Sequence, residues 1–154
     1  MVWHALAMPG VPSFETLTIV HLAATGFMVG LIWTIHVVHY PLFALVNEPY
    51  RPFQEAHMAR ITGLLVLPWG AEVLSAGALV LRAPAGTATT VSVAGVVLIG
   101  ALVALTGLGA APIHGRLVEH FDDELHRRLL RVDRVRAVLW TVRLGLAAWL
   151  VALA

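Results

Sequence analysis

The chain reads as all-α: an integral membrane four-helix bundle of up-down-up-down order, forming one domain over residues 1–154. Three observations predict this. Of its 154 residues, 59% are hydrophobic and 12% charged, and the mean hydropathy is +0.84, too apolar for an ordinary soluble domain. Four hydrophobic stretches, at about 15–46, 61–81, 91–111 and 135–154, are each long enough to span a bilayer. The connections between them are short, which predicts antiparallel neighbours.

The first stretch begins just after Pro12, with Ser13 suited to cap its N-terminus. At ~1.5 Å per residue it exceeds ~40 Å, more than a ~30 Å hydrocarbon core needs, so it must tilt, kink or protrude. Pro41 is the natural kink. The second stretch has an amphipathic lead-in from Pro52 (PFQEAHMAR) that belongs to the same helix. The third is expected to end before Pro112. Its Gly95, Gly100, Gly107 and Gly109 permit close helix approach, or a docking face for a larger complex. The fourth follows a charged amphipathic segment, Asp122–Arg134, whose two leading aspartates suit a helix N-terminus. That segment reads as solvated or as lying on anionic lipid.

Every basic side chain is arginine, because the sequence contains no lysine. Arg51, Arg60, Arg116, Arg127, Arg128, Arg131, Arg134 and Arg136 fall at the end joined by the 1–2 and 3–4 connections, and only Arg82 lies at the other. The positive-inside rule makes the arginine end cytoplasmic and puts both termini outside, and the expected location is the cell (inner) membrane. The first dozen residues lack a basic start and a continuous apolar run, so the spans themselves act as the targeting signal. With no cysteine, disulfides, thiolate metal sites and cysteine nucleophiles are excluded. Arginines clustered beside spans do not suggest nucleic acid, and phosphate loops and serine elbows are absent.

Two charges lie inside spans. Glu72 and Arg143 sit at matched depth, and a charge near the bilayer centre costs about 3 kcal/mol or more, so an ion pair is the simplest resolution. Such a pair either fixes helix register or forms the floor of a pocket opening to the arginine end. Pro68, one turn before Glu72, would free a backbone carbonyl into that pocket.

The histidines gather toward the arginine end. His36 and His39 are three apart on the first helix, as are His57 and Arg60 on the second, and His114 follows Pro112 on the third. Asp133, Arg136, Trp140 and Arg143 recur at three- and four-residue spacing on the fourth. Elsewhere His21 and His4 stand apart. Three readings remain open. His39, His57 and His114, with His36 as a fourth, could ligate iron, copper or zinc, or a b-type haem. They could hydrogen-bond to backbone and headgroups. They could serve acid–base chemistry on a lipophilic or quinone-like molecule. Trp33, Trp69, Trp140 and Trp149 suit packing or interface anchoring, and Tyr40 and Tyr50 the headgroup region.

The stretches HVVHYPLF from His36, FQEAHMAR, APIHGRL and RVDRVRAVLWTVR resemble small four-span bacterial membrane proteins similar to the anthrone-oxygenase-like family. The resemblance implies a four-helix fold and oxygen-dependent oxidation of an aromatic or quinone-like compound. Matching positions are His39, Tyr40, Pro41, His57, Arg60, His114, Trp140 and Arg143. The histidine count exceeds what an oxygenase without cofactors needs.

Together these point to a membrane-embedded oxidoreductase-type or redox-cofactor protein. Its metal ligands or acid–base groups would be His39, His57 and His114, and its catalytic charges Glu72, Arg143 and Arg60. His36, Trp140 and Tyr40 would line the cofactor or substrate. The alternative is a non-enzymatic accessory subunit of a larger membrane complex, structural or haem- or pigment-binding. Its partners are the lipid bilayer, a hydrophobic small molecule or quinone, and a second copy or larger assembly.

Overall fold

The computed structural model describes residues 12–46 and 49–154; His4 lies outside them. The described residues are helical, with no strand among them. Four helices are each long and apolar enough to cross a membrane: α1 (Phe14–Leu45), α2 (Tyr50–Arg82), α3 (Thr87–Leu117) and α4 (Asp123–Ala152). Each packs against two others, α1 and α3 both lying between α2 and α4.

The helix starts follow local chemistry. Ser13 Oγ accepts from the Thr16 amide at 3.1 Å, and Asp122 Oδ1 from Leu125 at 2.7 Å, so each satisfies a donor the first turn would leave orphaned. Before α3 the chain turns through Gly86 at φ 110°, a backbone state that a side chain would oppose. Helix α2 begins at Tyr50 and absorbs the predicted lead-in, and Pro68 does not interrupt it.

Two of the helices are not uniform. In α1, α-helical geometry runs to Thr34, widens into a π turn over Ile35–His39, and tightens to a 3-10 turn over Tyr40–Leu45. In α3, a π turn spans Leu105–Ala110 before the helix resumes over Ala111–Leu117. The two π turns share a cause. Tyr40 N–H reaches back to Ile35 and Ala111 N–H to Thr106, and each donor immediately precedes a proline, Pro41 or Pro112. Proline has no N–H to give the preceding turn and its ring crowds a carbonyl there, and the wider turn makes room for the ring. Pro112 therefore does not end the third helix, contrary to the sequence expectation. For the same reason His36 and His39 do not share a face: His36 meets Asp133 on α4, and His39 meets His57 on α2. Residues three apart no longer align in the wider π turn.

The polarity is inverted relative to a soluble bundle. Leu67, Leu81 and Leu108 are more than three-quarters exposed, at 80%, 84% and 83%, whereas Glu72 and Asp133 are wholly buried. An apolar layer of Met28, Ile32, Leu102, Ala137 and Trp140 separates the polar ones, and a second, of Leu17, Leu79, Val91 and Leu150, lies at the end beyond Arg143. Of the α3 glycines, Gly95 faces Arg143, and Gly109 packs so closely on α4 that a Cβ there would lie 3.1 Å from Val132 Cγ1. Gly100 and Gly107 face open space.

Candidate functional site

Two polar layers lie inside the bundle. In the first, Arg143 on α4 pairs with Glu72 on α2, as the matched depths predict. Its guanidinium also donates to the Gly95 carbonyl of α3 and lies 3.2 Å from His21 Nε2 of α1. Thr25 adds its hydroxyl to Glu72. Ser75 donates to the Ala71 carbonyl at 2.6 Å, so the 2.8 Å contact with His21 Nδ1 uses that nitrogen's proton, leaving Nε2 to accept from Arg143. His21 is thus a neutral spacer in a network drawing on all four helices. Trp140 lies under the guanidinium, its centroid 5.7 Å from Cζ. The network is closely packed: the space beside it, between His21, Ser92 and Arg143, holds about 10 Å³. Pro68 does not belong to it, lining instead an outward groove with Ala24, Phe27 and Leu67.

The second layer lies where the end of α1, the start of α2, the end of α3 and the start of α4 meet. His114 of α3 is central. Gln54 Nε2 approaches His114 Nδ1 at 2.9 Å and the His114 carbonyl at 3.4 Å, which requires the amide to be the donor. His114 therefore carries its proton on Nε2 and donates it to the Tyr40 hydroxyl at 2.9 Å. Tyr40, 3% exposed, keeps its own O–H available. Its backbone carbonyl accepts from His126 Nε2 at 2.9 Å. Beside it Asp133 accepts from Arg136 and His36, both at 3.1 Å, and the buried Arg136 Nε has no hydrogen-bond partner among the described residues.

Between this layer and the Met28 layer is a cavity of about 120 Å³, comparable with one that admits a single benzene ring. Tyr40, His114 and Arg136 form its polar end, and Met28, Ile32 and Leu65 are among its apolar walls. Both π turns line it, through Ile35 and Tyr40 on α1 and through Thr106, Ala110 and Ala111 at and beside the α3 turn. Exposed Thr62 and Ala111 are also part of its lining. Glu72 and Arg143 do not line it, so the pair is not its floor.

The expected site residues divide accordingly. Tyr40 and His114 reach the cavity; Trp140 packs in the apolar layer beside it. His39, His57 and Arg60 line a separate outward groove between α1 and α2. The proposed ligand trio is close but poorly disposed for a metal. His39 Nε2 and His57 Nδ1 bond to each other at 2.9 Å, and both His114 nitrogens are engaged. Among the described residues, no group of three or more His, Asp or Glu is placed to hold a metal ion. Nor does a one-ring cavity fit a haem macrocycle. Gln54, Arg136 and His126 were not singled out as site residues. The only hint lay in spacing: Gln54 is three before His57, and Arg136 three after Asp133.

Compared with known proteins, the chain matches no family model, no curated protein and no solved structure.

Proposed function

We propose that this is a multi-pass membrane protein that binds a small, single-ring, oxygen-bearing hydrophobic molecule, quinone- or phenol-like, in the cavity below Tyr40. In this reading the four helices cross the bilayer in up-down-up-down order, with the arginine end cytoplasmic and both termini outside. The apolar exterior around buried charges supports that placement, since lipid accepts exposed leucine and rejects exposed carboxylates.

The observation that carries the ligand class is a ring-sized apolar cavity ending in hydrogen-bond donors. The Tyr40 O–H, released by the His114 N–H that supports its oxygen, donates to a ligand oxygen. The Arg136 cation beside it stabilises negative charge developing there. Asp133 holds Arg136 in place and balances its charge. The π turns that shape the wall are of a kind that recurs at functional sites. An oxidoreductase would use the ligand as substrate or redox carrier. Tyr40 and His114 then supply hydrogen bonding and proton transfer at the oxygen. In the accessory-subunit reading, the docking face of α3 would fall to Gly100, Gly107 and Gly115, because Gly95 and Gly109 pack against α4.

Titration calorimetry of the detergent-solubilised protein tests the reading, with 1,4-benzoquinone as ligand and benzene as the control without oxygen. Benzoquinone should bind more tightly. Tyr40→Phe should weaken it about fivefold, the effect of one hydrogen bond at ~1 kcal/mol, and leave benzene unchanged. Equal affinities for the two ligands in the wild type would overturn it.

A further inference from the structure

The start of α4 and the last turns of α3 enclose a further groove, of about 380 Å³, that opens to the exterior. Its polar rim is three arginines, Arg116 on α3 with Arg128 and Arg131 on α4. Its apolar bed includes Leu108, Gly109 and Val132. The close approach of Gly109 to Val132 places the two helix backbones near each other at its base. Leu108 is 83% exposed and lies eight residues before Arg116, about 12 Å along the helix, so the groove has a cationic end and an apolar end.

The charges there are not balanced from within. The Arg116 side chain makes no hydrogen bond or ion pair among the described residues; its backbone carbonyl accepts from the Glu119 amide at 3.2 Å. A single carboxylate, Glu124, serves Arg131 at 3.1 Å and Arg128 at 4.0 Å while also holding Arg127. By contrast, Arg136 and Arg143 inside the bundle each have a carboxylate. Excess positive charge above an apolar trough matches an amphiphile with an anionic head.

We infer that this groove binds an anionic phospholipid, its phosphate between Arg116 and the Arg128–Arg131 pair and an acyl chain along Leu108 and Val132. The inference rests on the membrane placement proposed above, and is independent of the cavity ligand. Basic pockets between helices on the cytoplasmic side are the expected sites for such headgroups.

The test uses full-length protein in nanodiscs of equimolar phosphatidylcholine and phosphatidylglycerol, with retained lipids counted by native mass spectrometry. Phosphatidylglycerol should be enriched about fivefold or more, the factor matching ~1 kcal/mol for one arginine near an anionic headgroup. Arg116→Gln with Arg128→Gln should remove the enrichment, and Arg134→Gln, outside the groove, should keep it. Glu124→Gln removes the competing acid and should raise it, a gain that misfolding does not mimic. Equal retention of both lipids by the wild type overturns the inference, as does an equal loss in Arg134→Gln. Protein that leaves discs of either composition overturns the membrane placement itself.

Discussion

At the residue scale, the strongest constraint is the buried pair of Glu72 and Arg143. Its existence was legible because two charges at equal depth in apolar helices have few other solutions. His21 was not legible as part of it. His21 is 122 residues from Arg143, and its role depends on Ser75 fixing its tautomer through the Ala71 carbonyl. Nothing in local spacing encodes such a chain. The pairing predicts a non-additive result. Arg143→Ala strands a buried carboxylate and should cost about 3–5 kcal/mol in unfolding free energy, whereas adding Glu72→Gln should recover part of that loss. Denaturant unfolding in detergent measures it, and additive losses would refute the coupling. For Asp133, which serves both Arg136 and His36, Asp133→Ala should destabilise by a similar amount, and Asp133→Asn by less.

At the scale of elements, the helices were read correctly as four, but their interiors were not. Pro112 was read as a stop, and His36 with His39 as one face, because both rules assume uniform α-helical geometry. The π turns break that assumption, and each is tied to the proline following its last backbone donor. Without the proline, the turn loses its cause. Pro112→Ala restores an N–H that can bond the Leu108 carbonyl and should favour plain α-helix across Leu105–Ala110. The downstream helix would then rotate, taking His114 from Tyr40. Benzoquinone affinity should fall at least about fivefold, the loss of one supporting hydrogen bond, while the thermal midpoint holds or rises. Unchanged affinity would show that the π turn does not shape the site.

At the scale of the molecule, composition was sufficient to predict an all-helical chain with four helices of spanning length. Which histidines meet was not predictable, because that depends on rotations about four helix axes, and the cavity was less so. A void of about 120 Å³ is a small mismatch in packing volumes, and no sequence pattern records it. Of the arginines, it is Arg136 that lines the void, and the proposed reading puts the anion-stabilising role there. The proposed orientation makes a separate prediction: a tag at the C-terminus should be accessible from the outer side of intact spheroplasts, and protection there would reverse the topology.

The account stands on a ring-sized cavity that receives a ligand, so the decisive measurement fills it. Ala110 is buried, 2% exposed, and lines the wall. Ala110→Leu places added methyl groups in the void, and calorimetry with 1,4-benzoquinone should register no binding while the thermal midpoint stays near that of the wild type. Full benzoquinone affinity in a folded Ala110→Leu protein would contradict the assignment of this cavity as the binding site.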